Sequence, residues 1–232
     1  MSTRLYLVLI EQHDTAIWDN QVRLMVKHRA VTHVNYECRV NITGGFLELM
    51  LSHRYDLYKP MIGKRDDLYW LKLYIPILMA DEAGKLITRG HGGLKSYGTM
   101  GPECFADFLI DMGLNKDITI DMTGCSLARG PNVADTAVHA NTAAAVGAGS
   151  YAQRFQRALF QKRGLRCRVH ARTFTFTINA AGRKETRDPM TGVWVHKAPH
   201  SKIIFTINTG GHQEMEYAEE EYDAYGLARL FA

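Results

Sequence analysis

Apolar and polar positions change period repeatedly along this chain, and each change marks a boundary between elements. Residues 5–10 are a continuous apolar run and read as a first strand. Asp14 is placed to cap a helix reaching about Lys27, with Ile17, Val22, Leu24, Met25 and Val26 as a loose apolar face. Residues 31–40 alternate as a second strand, 41–45 form a turn, and 46–51 can return as a hairpin partner. Residues 52–67 are polar and aromatic without a period. Residues 68–79 are apolar, but Pro76 argues against both a central strand and an uninterrupted helix, so no element is assigned there. A strand follows at 85–88. Gly101-Pro102 then opens a helix over 103–112, which Gly113 stops. Residues 118–122 are the next strand. Residues 130–149, rich in alanine, glycine and small polar residues, read as a mobile loop with at most a weak helical turn. A helix over 151–162 ends at Gly164, a long strand spans 165–178, and 193–196 and Lys202–Ile207 are further strands. The acidic tail past Gly211 reads as helix outside the core. Strand and helix alternate up to residue 178, which predicts an α/β sandwich with a mainly parallel central sheet flanked by helices.

Composition narrows the reading. At 232 residues, 46% hydrophobic and 22% charged, the chain suits one domain with additions, expected here as residues 1–210 followed by a tail at 211–232. No apolar stretch reaches membrane-spanning length, and the first run is followed at once by Glu11, His13 and Asp14, so it reads as a strand and not as a signal peptide. The four cysteines, Cys38, Cys104, Cys125 and Cys167, show neither CxxC spacing nor histidines at zinc-finger intervals. A reduced working environment and no metal are therefore expected. The net charge of +4 hides an asymmetry: residues 154–202 hold twelve Lys/Arg against Glu185 and Asp188, a surplus of 12 − 2 = +10. Residues 214–223 hold six acids and no Lys/Arg. The basic block points to a polyanionic partner. The absence of zinc-finger and stacking-rich ribonucleoprotein motifs argues against nucleic acid.

Two short segments carry the candidate chemistry. Residues 85–89 lead into Gly90-His91-Gly92-Gly93, and 118–122 lead into Thr123-Gly124-Cys125-Ser126. Each is a β-branched run ending in glycine and one reactive residue. If the two runs are neighbouring parallel strands, a thiol and an imidazole share one edge of the sheet, where open α/β sheets build their sites. A lone histidine in a glycine turn is ordinarily a turn residue, and a lone cysteine after a strand is ordinarily core. The pairing is what raises both. Cys38, Cys104 and Cys167, and His28, His170 and His196, lack a glycine-flanked strand end.

These segments resemble the caspase-like cysteine peptidases, and more nearly the self-processing protease domains of bacterial RTX and clostridial toxins. The resemblance covers roughly residues 90–208. It is carried by Gly90-His91-Gly92, Thr123-Gly124-Cys125-Ser126-Leu127, Tyr151-Ala152-Gln153-Arg154-Phe155, Ala181-Gly182-Arg183-Lys184, and Gly192-Val193-Trp194-Val195-His196-Lys197-Ala198 with Ser201-Lys202. The resemblance implies a C-terminal β-flap and Cys125 as nucleophile with His91 as its partner. It implies an oxyanion held by backbone N–H groups at Gly92 and Cys125. It also implies inositol hexakisphosphate as allosteric activator, bound by Arg183, Lys184, Lys197 and Lys27, with Trp194 coupling the flap to the active site. Leucine is the residue it implies before the scissile bond. No toxin body accompanies these residues, so the expectation is a free-standing bacterial effector, delivered to a host cytosol, that cleaves a host protein. A Cys–His acyl transferase or deamidase on the same scaffold, and a polyphosphate-binding module with an idle dyad, are the alternatives.

Overall fold

A computed structural model describes residues 2–10, 15–28, 33–41, 66–196 and 198–218. Seven strands form the central sheet: β1 (Ser2–Ile10), β2 (His33–Asn41), β3 (Lys85–Arg89), β4 (Thr119–Thr123), β5 (Arg168–Arg172), β9 (Lys202–Ile207) and β10 (Gln213–Tyr217). Their order is β10-β9-β5-β4-β3-β1-β2. The first five strands in chain order run parallel, and β9 and β10 are antiparallel additions at one side. A separate three-stranded antiparallel sheet comprises β6 (Phe176–Ile178), β7 (Lys184–Arg187) and β8 (Trp194–His196). The α/β class with a mostly parallel central sheet is thus as read from the sequence.

The two faces of the central sheet differ in chemistry. On one face Leu5, Leu7, Leu9, Leu86, Ile120, Met122, Val169 and Phe205 are buried against α2 (Asp66–Met79), α3 (Pro102–Asp111) and α5 (Tyr151–Arg163). Fully burying such side chains stabilises the fold by about 1.5–3 kcal/mol each. Within this layer Gln156 of α5 donates to the carbonyls of Cys167 and Phe205, a polar pin inside an apolar core. The other face carries the first, third and fifth residues of β3, β4 and β5, all polar except Ile87, and the small sheet lies over it. Helix α1 (Thr15–His28) joins that side, where Arg23 donates to the Ile178 carbonyl.

Several boundaries depart from the periodicity. Residues 66–79 form one helix despite Pro76, because the proline sits exposed in its last turn while Leu71, Ile75 and Leu78 are buried on the other side. The segment 130–149 is ordered as a 3-10 helix (Asp135–Ala140) and the short α4 (Ala143–Gly147), the latter capped by Thr142. The expected long strand over 165–178 is two strands in two sheets. The chain leaves the central sheet after Arg172 to bond the loop after β4, through Ser126 N to Phe174 O and Ala128 N to Arg172 O. The expected helix after Gly211 is instead β10, paired with β9, so the central sheet continues beyond residue 210. The expected turn and hairpin return over 41–51 lie outside the described residues, apart from Asn41 at the end of β2.

Candidate functional site

Strands β3 and β4 are parallel neighbours with Arg89 opposite Thr123. Two residues further along each strand stand His91 and Cys125, so register delivers both to the same sheet edge. The turns after them are packed on each other. A Cβ added to Gly92 would lie 2.5 Å from the Cys125 nitrogen and 2.6 Å from its carbonyl oxygen, so only glycine permits this approach.

Tyr97, which the sequence reading did not single out, sets the approach of the two turns. Its ring is wholly buried, and its hydroxyl donates to Thr88 Oγ1 at 3.0 Å. A Cβ on Gly124 would meet this ring at 2.7 Å, and one on Gly90 would meet it at 3.4 Å. Both glycines before the reactive residues therefore accommodate one tyrosine. Ser126, next after the nucleophile candidate, has φ +55°, a conformation non-glycine residues seldom adopt. The strain sits at the turn that presents Cys125.

Cys125 is partly buried, and its thiol is 3.9 Å from the Phe176 carbonyl at the start of β6. Burial pushes its pKa up, so the thiol is protonated in this arrangement. His91 is exposed. Among the other cysteines, Cys38 and Cys167 are buried and Cys104 is partly buried; none of the four is in a disulfide. Burial pushes the Cys167 thiol up to about 11 and raises that of Cys104 as well. A pocket of about 200 Å³ is lined by Asp135, Thr175, Arg187, Asp188, Pro189 and Gly192, and neither Cys125 nor His91 is among its lining residues.

The expected anion-binding residues are not equivalent. Lys184, on β7, projects to the central sheet, where its Nζ is 3.9 Å from Asp121 Oδ2 and 3.4 Å from Thr123 Oγ1. Lys85 reaches the same Asp121 oxygen at 3.3 Å. Burial lowers the Lys184 pKa to about 7, against the opposing pull of Asp121. Burial would raise that of Asp121, but Lys184, Lys85 and Lys202 hold it well below the usual carboxylate range. Arg183 is exposed in the tight turn before β7, where its N–H bonds Asn179 Oδ1. Trp194 is 43% exposed on β8. Lys197 lies outside the described residues, and of Lys27 only its place in α1 is described.

The same cluster contains residues that the sequence reading passed over. Arg89 is buried, with Nε and Nη1 lacking a partner among the described residues, and burial lowers its pKa to about 10. His170, both of whose ring nitrogens are buried without a partner among the described residues, is pushed by burial to about 4. On β5 the basic residues Arg168, His170 and Arg172 recur at every second position. That spacing was a readable sign of a basic sheet face. Among the described residues no group of three or more His, Cys, Asp or Glu could hold a metal ion, and no helix is long and apolar enough to cross a membrane. No protein-family model matches the chain, and no curated protein matches it.

Proposed function

We propose that this protein is a caspase-like cysteine endopeptidase with a Cys125–His91 dyad, switched on by inositol hexakisphosphate. In this reading it is a bacterial effector that acts in a eukaryotic cytosol and cleaves a host protein after leucine. The observation that carries the catalytic part is the register of β3 and β4, with Gly92 seated on the Cys125 peptide. His91 takes the thiol proton as Cys125 attacks the peptide carbonyl. The N–H groups of Gly92 and Cys125 take the developing oxyanion. His91 then gives the proton to the leaving amine, and water hydrolyses the acyl-enzyme to restore the thiol.

The basic sheet face supports a polyphosphate activator. Phosphate groups match densely placed Lys and Arg through charge-assisted bonds. The small sheet serves as the flap in this reading, with Lys184, Arg183, Lys197 and Lys27 around the ligand and Trp194 relaying the flap's position. The protonated thiol facing the Phe176 carbonyl suits a resting enzyme. It equally suits the second reading, a polyphosphate-binding module with an idle dyad.

Labelling with an electrophilic peptide decides between them. Wild-type Cys125 is expected to label at least tenfold faster with inositol hexakisphosphate than without, and Cys125→Ala is expected to lose that label. His91→Ala is expected to cost about 10²–10⁴-fold in cleavage. Equal labelling with and without ligand contradicts the switch, and full activity in Cys125→Ala contradicts the nucleophile. Two fragments by mass analysis separate peptidase from deamidase or acyl transferase.

A further inference from the structure

Asp121 sits buried in β4 among cations drawn from several strands. Lys85 of β3 and Lys184 of β7 both reach its Oδ2. Lys202 of β9 and His170 of β5 also face it electrostatically. Asp121 is also the carboxylate that favours charge on both Lys184 and His170, against burial. Around this group stand Arg89, two of whose nitrogens have no partner among the described residues, and Tyr6 on β1. Arg172 and Arg168 of β5 add further positive charge, the first toward Lys184 and the second toward His170. One carboxylate therefore faces several cations, and neither His170 nitrogen nor two of the Arg89 nitrogens have a described acceptor.

We propose that Asp121 is a built-in counter-ion which Lys184 leaves for an incoming polyphosphate, and that the exchange draws protons into the protein. The inference rests on the reading of inositol hexakisphosphate as activator and adds the way in which the site engages it. The geometry supplies both partners of the exchange. Lys184 belongs to the small sheet and Asp121 to the strand that carries Cys125 four residues on, so moving one relative to the other shifts the flap against the catalytic edge. The charge pattern supplies the protons. Below about pH 7 Lys184 is the charged partner of Asp121; above it Lys184 increasingly gives up its proton, and a ligand bearing many negative charges restores the charge. Below that pH the ammonium is already present and its uptake fades. His170 contributes only nearer its own value of about 4.

Calorimetry of inositol hexakisphosphate binding to the full chain tests this. It is run at about pH 8 in two buffers of different ionisation enthalpy, whose comparison counts protons. Wild type is expected to take up close to one proton more than Lys184→Arg, whose guanidinium is charged at that pH. The ligand's own phosphate titration is common to both proteins and cancels. Asp121→Asn is expected to bind the ligand at least threefold more tightly, because a competing anion is gone. Equal proton counts, or unchanged or weaker binding by a folded Asp121→Asn protein, overturn the proposal. If wild type binds with equal counts, only the exchange fails; if wild type does not bind at all, the activator reading fails with it. Should Asp121→Asn not fold, the Lys184→Arg comparison decides alone.

Discussion

At the scale of single residues the site depends on atoms that are missing. Gly92 lets one turn touch the main chain of the other, and Gly90 and Gly124 leave room for the Tyr97 ring. A methyl at Gly92 would meet backbone, which cannot swing aside as a side chain can, so the Cys125 turn must shift. Misplacement by about 1 Å is enough to cost about 10²-fold in rate. Gly92→Ala is therefore expected to lose about that much ligand-stimulated cleavage while remaining folded. Gly93→Ala is the matched control, since its Cβ would find only the Ser96 carbonyl at 3.9 Å, an ordinary contact. Equal cleavage rates in the two variants would show that the seating of Gly92 on Cys125 is not what positions the thiol.

At the scale of elements, the sequence was most legible where a period and a stop signal coincide. The strand before His91, the strand before Cys125, α5 with its Gly164 cap and β9 all stand where the pattern put them. It was least legible where tertiary contacts override local preference. Pro76 stays helical because apolar burial on α2 outweighs one missing hydrogen bond. The run over 165–178 divides because the chain bonds to the turn after Cys125, a demand no local pattern records. Strand β7, with burial only at Thr186, has too few apolar positions to be read as a strand. The candidate dyad was readable because both residues follow glycine at a strand end. Asp121 and Arg89 were not, because buried charges look like surface charges in a sequence. The small sheet carries a prediction of its own. Trp194 is exposed on β8, whereas Lys184 on β7 reaches Asp121, so the roles proposed for the two can be tested separately. Trp194→Ala is expected to bind inositol hexakisphosphate within about threefold of wild type yet lose most ligand-stimulated labelling of Cys125. A Trp194→Ala protein that is fully inducible rules out this strand as the coupling element.

At the scale of the whole molecule, the central sheet is held on one face by hydrophobic packing and on the other carries one buried carboxylate among several cations. The two faces respond differently to pH. The Asp121 pKa is depressed in the fold, so its contribution is present above the ordinary carboxylate range and is lost only as pH falls through its lower value. Lys184 has the opposite sign. Its pKa falls from 10.5 to about 7 on folding, so between those values the unfolded chain binds the extra proton. Stability then rises with pH across that window, by at most about 1.4 kcal/mol per pH unit. The side chain is 22% exposed, and solvent screening reduces the figure further. The ligand-free melting temperature is accordingly expected to rise from about pH 7 to pH 9 relative to that of Lys184→Met, which carries no titrating group there. Saturating inositol hexakisphosphate is expected to flatten the difference, because a polyanion keeps the ammonium charged in the folded state as it is in the unfolded one. Parallel melting curves for the two ligand-free proteins would mean that Lys184 is charged in the resting fold. The polar face would then be closed by an ordinary ion pair and not by a lysine held near its point of discharge.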